Sequence, residues 1–125
     1  MLFISPEDFF EKVRGMQPLS RAEEKHWALQ MQAGDEAGRE ALICAYLPMV
    51  AAVLRRLQPA SLRLELLLRC CIALEKAVDH FDFLQDSESF THRLSFCLRQ
   101  TIVAYFANRR AFYSDPLPEA EKGSA

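Results

Sequence analysis

The chain has no C-x-x-C pair, no glycine-rich phosphate loop, no internal repeat and no stretch of alternating polar and apolar residues. Each absence removes a class of protein. Without cysteines paired at zinc spacing there is no finger-type ligand set, and Cys44, Cys70, Cys71 and Cys97 fall instead inside apolar helical patterns, as reduced core residues do. Adjacent Cys70 and Cys71 would point about 100° apart on a helix, so both cannot face the same way. Without strand alternation or a repeat, an all-α chain remains. Apolar runs are short, none approaching the roughly 18 consecutive residues of a membrane helix. The opening MLFISPEDFF has no basic leader, so the sequence predicts a cytoplasmic protein without a membrane partner. An excess of one charge is missing too: 15 basic against 17 acidic residues leave a net charge of −2. That excludes indiscriminate coating of nucleic acid or anionic membrane and makes any basic function local. A length of 125 residues suits one compact domain.

What is present is a series of helix punctuation marks. Ser5-Pro6-Glu7-Asp8 combines a serine cap, proline at the first helical position and acids in the first turn; Phe9, Phe10 and Val13 give this helix a small apolar face, and Gly15 ends it. Ser20, with Glu23 three residues on, forms a capping box for a second helix through about Ala33, whose buried pair is predicted to be Trp27 and Met31. Gly34 as a stop and Asp35 as the next cap make QAGDEAG a tight corner. Leu42, Ile43, Tyr46, Leu47, Val50, Val53, Leu54 and Leu57 then form a broad apolar face ending at Gln58-Pro59. Pro48 lies inside it and predicts a kink or break near Ala45. Ser61 opens a helix to about His80 with the stripe Leu66, Leu67, Cys70, Ala73, Leu74, Ala77, Val78 and Phe81. Phe81 to Ser89 reads as a polar turn, and after Tyr113 the composition SDPLPEAEKGSA predicts a flexible acidic, proline-containing tail over 114–125. The chain thus divides into a first helix and connector (1–18), a helical domain (19–113) and the tail.

Two faces fall outside the core stripes. In the helix from Phe90, the stripe is Leu94, Leu98, Thr101, Ile102, Tyr105 and Phe106, while Arg93, Phe96, Arg99, Gln100, Val103 and Arg110 gather on the opposite side. Between Ser89 and Ser114 there are four arginines and no acid. Guanidinium groups for phosphates, an amide for a base edge and a ring for stacking compose a nucleic-acid surface. The alternative is an ordinary wet face with Phe96 meeting another helix. In the preceding helix, Leu68 and Ile72 lie off the stripe, one turn apart, ringed by Glu65, Arg69, Glu75, Lys76 and Asp79. A small apolar centre with a charged rim suits a partner protein, unless another segment of the chain covers it. Glu23 and Glu24 read as capping and solvated residues. His26, His80 and His92 lie on three different helices or their edges, so no catalytic residue, metal or cofactor is predicted.

In this order the segments resemble a known family. LSRAEEKHWALQMQAGDEAGREALICAYLPMVAAVLRRL, then ELLLRCCIALEKAVDHFD, then FTHRLSFCLRQTIVAYFANRR, is similar to region 2 of bacterial sigma-70 family RNA polymerase sigma factors with the helix before it, over about Leu19 to Arg110. The most specific marks are the Leu19 to Ile43 opening and corner, Ala77-Val78-Asp79-His80-Phe81-Asp82, and Phe96 to Gln100 leading into Ala107-Asn108. The resemblance implies a compact helical bundle with two working faces. The helix holding Glu65, Leu68, Arg69, Ile72, Glu75 and Asp79 would dock on the clamp helices of the largest polymerase subunit. The Phe90 to Arg110 helix would open the promoter −10 element and hold flipped bases of the non-template strand. Leu68-Arg69-Cys70 stands where the family shows Gln-Glu-Gly, Phe96 and Cys97 stand for tryptophans, Arg93 for a tyrosine, and Val103 and Ala104 for a polar and a basic residue. Fewer rings and donors imply weaker strand opening. The helix-turn-helix that reads the upstream element is not in the sequence, which implies a second polypeptide supplying it or, in a regulatory setting, an anti-sigma partner. The competing expectation is a protein-interaction module that keeps the fold and has lost promoter recognition.

Overall fold

In the computed structural model, the described residues are 3, 5–57, 64–85 and 89–113, with side chains through 108 in the last segment. They form five helices and no strand: α1 (Pro6–Val13), α2 (Arg21–Gln32), α3 (Glu36–Arg55), α4 (Leu64–His80) and α5 (Phe90–Tyr113). The protein is all-α.

The caps act as the sequence predicts. Ser5 Oγ accepts from the Asp8 amide at 3.1 Å, with Pro6 following it, and the chain turns at Arg14-Gly15. At α2 the capping box is reciprocal: the Glu23 amide donates to Ser20 Oγ at 3.1 Å and the Ser20 amide to Glu23 Oε1 at 2.8 Å. Gly34, at φ 92°, adopts the left-handed turn that glycine tolerates, and Asp35 Oδ1 accepts from the Ala37 amide at 2.9 Å. The corner is tight for a further reason. A Cβ added at Gly38 would lie 2.5 Å from the Trp27 carbonyl oxygen and 2.7 Å from the Met31 nitrogen, so α2 and α3 touch backbone to backbone there.

α3 is the central helix, packing against α1, α2 and α4, and α4 in turn carries α5. Its length and mean hydropathy of 1.5 would also suit a membrane-crossing segment; here its apolar side chains face the other helices. Of the kink or break expected near Ala45, the break is absent: α3 runs unbroken from Glu36 to Arg55 with Pro48 inside it. A proline inside a helix costs about 3 kcal/mol, and burial of Leu47, Val50, Ala51 and Leu54 on both sides of it holds the two halves in one helix. The predicted ends at Gln58-Pro59 and Ser61 lie outside the described residues, as does the tail over 114–125.

The α4 stripe is buried, with Ala73 only partly so, and Leu94, Leu98 and Tyr105 bury α5 against it. α1 contributes Phe9 and Val13 to the same core. The α2 expectation needs correction: Trp27 and Met31 are only partly buried, and the residues fully inserted are Glu24 and Ala28. The turn before α5 is likewise less polar than its sequence suggests. Phe83 is buried within it, its ring 4.9 Å from both Phe81 and Phe90, and Tyr46 of α3 meets the Phe90 ring edge-on at 4.6 Å.

Candidate nucleic-acid and partner interface

α5 begins where Ser89 Oγ accepts from the His92 amide at 3.3 Å, and its first turn is anchored by the Phe81, Phe83 and Phe90 rings. With Leu94, Leu98 and Tyr105 inward, 100° per residue turns Phe96, Arg99, Gln100 and Val103 outward. Phe96 is 57% exposed and Val103 61%, so no other helix covers Phe96, and Arg99 and Gln100 are exposed beside them. Arg93 departs from this group. It is half-buried on the side facing α4, its guanidinium 5.9 Å from the centre of the Phe81 ring, a cation–π distance. The Arg110 side chain lies outside the described residues. Phe90 is buried in the aromatic cluster and offers no ring to a base.

The start of α5 is also tied to α2 and α3 by a polar network that the sequence reading missed. Glu24, taken there as solvated, is only 9% exposed. Its Oε2 accepts the Tyr46 hydroxyl, while Oε1 pairs with Arg21 Nη1 at 3.4 Å. Arg21 Nη2 then donates to the Gln85 carbonyl at 2.8 Å, fastening the turn that leads into α5. Burial, followed by the bond to Glu24, raises the Tyr46 hydroxyl well above its ordinary value, so it stays a proton donor. The signal available in the sequence was position: Glu24 falls four residues before Ala28, on the inward face of α2.

The second face lies on α4. Leu68 is 45% exposed and Ile72 51%, and Leu64, which the sequence analysis did not single out, extends the row one turn earlier. Leu68 and Ile72 line a groove of about 340 Å³ between α3 and α4, together with Phe3, Cys44, Leu47, Glu40 and Glu75. Burial raises the Cys44 thiol and pushes Cys71 up to about 11, so both remain protonated. The charged rim is less available than its sequence suggests. Glu65 pairs with Arg69 at 3.0 Å, and Arg69 lies 5.8 Å from the Tyr105 ring centre. Asp79 is held by Arg39 of α3, which also lies 3.9 Å from Glu75. The Arg39 hydrogen bond keeps the Asp79 carboxyl below the usual aspartate value and raises the Arg39 guanidinium.

The histidines are apart in role: the His26 ring meets Trp27 edge-on at 4.8 Å, His80 Nδ1 lies 2.8 Å from the Lys76 carbonyl oxygen, and His92 is exposed. Among the described residues no group of three or more His, Cys, Asp or Glu side chains is placed to hold a metal. Compared with protein-family models and with curated proteins, the chain matches none.

Proposed function

We propose that this protein is a sigma-region-2-like transcription module that docks on RNA polymerase through α4 and contacts promoter −10 DNA through α5. The observation that carries the reading is on α5: two large apolar side chains, Phe96 and Val103, stay more than half exposed beside Arg99 and Gln100 on a helix that contains no acid. A ring flanked by guanidinium and amide groups suits an unstacked base and its phosphate. The order and spacing of the sequence marks from Leu19 to Arg110 support the same reading. The test is binding of a labelled −10-like single strand at physiological salt by the wild type and by Phe96→Ala/Gln100→Ala. Preference for the −10 sequence should vanish in the double variant; equal binding by both proteins would overturn the assignment.

A second reading rests on its own observation, the exposed row Leu64, Leu68 and Ile72. It takes the protein as a regulatory module that binds polymerase, or another protein, without reading DNA. Under it, core polymerase is retained by the wild type and released by Leu68→Ala/Ile72→Ala, with no sequence preference for DNA in either.

A further inference from the structure

A groove of about 440 Å³ separates α4 from α5, lined on α5 by Arg93, Cys97, Gln100, Thr101 and Ala104 and bordering the exposed Phe96 and Val103 edge. It exists because both helices carry small side chains there: Ala73 and Ala77 on α4 face Ala104 on α5, and nothing bulky fills the space between them. Among the described residues no carboxylate lines it. Instead Lys76 and His80, one turn apart on α4, face Arg93 across the opening, and Gln100 lies further along α5. Two of these groups are held in place. Arg93 is stationed by the Phe81 ring, 5.9 Å away. The His80 ring is fixed by the 2.8 Å contact between Nδ1 and the Lys76 carbonyl oxygen, which sets Nδ1 as the donor and leaves Nε2 as the ring's other polar atom.

The lining therefore divides into three kinds of surface within one small-molecule-sized space. The methyl groups of Ala73, Ala77 and Ala104 offer an apolar surface to a planar ring. An amide can pair with the polar edge of such a ring, as glutamine does with adenine. The two cationic groups at the other end suit a phosphate. We infer that this groove is a binding site for a free nucleoside monophosphate, with phosphate at Lys76 and Arg93 and the base edge at Gln100. The site does not require α5 to read DNA, although it shares Gln100 with that proposal. A nucleotide within a single strand has the same chemistry, and the experiment separates the two sources.

The probe is adenosine 5′-monophosphate, titrated into the full chain and followed by calorimetry and by amide chemical shifts, with adenosine and inorganic phosphate titrated separately. Saturable binding is expected, with shifts confined to α4 and α5 around Ala77 and Ala104 and with each half of the molecule binding more weakly than the whole. Lys76→Glu should weaken binding at least tenfold by reversing charge at the phosphate end. Ala104→Trp, at an exposed position, should do so by filling the groove. Phe96→Ala, outside the groove, should leave it unchanged. Circular dichroism and thermal melting of each variant separate lost binding from lost fold. Absence of saturation, or equal binding by folded Lys76→Glu and Ala104→Trp, would overturn the proposal. So would a −10-like single strand that competes with the nucleotide while Phe96→Ala weakens both, because the groove would then belong to the strand path. Strand binding that depends on Phe96 without nucleotide binding would sink this inference and leave the transcription reading standing.

Discussion

Arg39 on α3 grips both carboxylate oxygens of Asp79 on α4, Nε donating to Oδ1 at 2.7 Å and Nη2 to Oδ2 at 3.1 Å. The pair joins two helices across the edge of the proposed partner face. Asp79 is therefore engaged within the chain, and a docking partner must either accept that pair as a unit or compete with Arg39 for it.

Breaking this pair should cost little at neutral pH and still less in acid. Both side chains are partly exposed, so a double-mutant cycle with Arg39→Met and Asp79→Asn should give a coupling of about 0.5–1 kcal/mol at pH 7. Asp79 titrates below its ordinary value of 3.8 in the folded chain. The stabilisation is thus present above that value and is lost as pH falls through the lower, folded one. Urea unfolding midpoints of the four proteins at pH 7 and pH 3 check both the size and the direction.

Tyr46→Phe removes the hydroxyl that Glu24 accepts and keeps the ring against Phe90. Because Glu24 is buried, leaving it short of a partner should destabilise the fold by about 1–3 kcal/mol. The denaturation midpoint should fall with an unchanged slope. Amide exchange should accelerate most over residues 81–85 and the first turn of α5, since Glu24 and Arg21 together fasten that turn.

At the α2–α3 corner the opposite kind of change is expected to be severe. Gly38→Ala introduces a methyl group against the backbone of Trp27 and Met31, where neither neighbour is the flexible end of a side chain. Separating the helices should cost about 1–3 kcal/mol or more. A thermal melt shows this directly, with Ala37→Gly, at an exposed position nearby, as the comparison for helix propensity alone.

Phe96→Ala should separate stability from binding. With its ring 57% exposed, its loss should move the folding free energy by no more than about 0.5 kcal/mol. Affinity for a −10-like single strand should fall by about 1–3 kcal/mol, the range for one stacked base. Paired fluorescence anisotropy and chemical denaturation measure the two effects on one sample.

Cys70 should be the last thiol to react. It is fully buried and its thiol is pushed up to about 12, so at pH 8 it is both covered and protonated. Cys44, Cys71 and Cys97 are only partly buried and should be labelled by iodoacetamide first. Mass spectrometry of a labelling time course gives the order, and Cys70 should appear only with unfolding.

Local chemistry made much of this protein legible in its sequence. The cap at Ser5, the box at Ser20 and Glu23, and the Asp35 cap each involve residues within three positions of one another, so no knowledge of the fold is needed to place them. The stripes of α3, α4 and α5 follow from the helical repeat alone, and so does the exposure of Leu68, Ile72, Phe96 and Val103, which are what those stripes leave over.

Tertiary structure decided whatever depends on which helix comes to face which. Periodicity marks a face as inward without saying what it meets there, so the burial of Glu24 became visible only once Tyr46 arrived from α3 to receive it. Arg39 and Asp79 are 40 residues apart, and only the packing of α3 on α4 turns two apparently solvated charges into one bidentate contact. Helix rules allow a break at Pro48 as readily as a kink because they weigh the lost backbone bond and cannot weigh the core on either side of it. The α4–α5 groove has the same origin: alanines that look unremarkable along each helix become an open slot when the two helices are laid together.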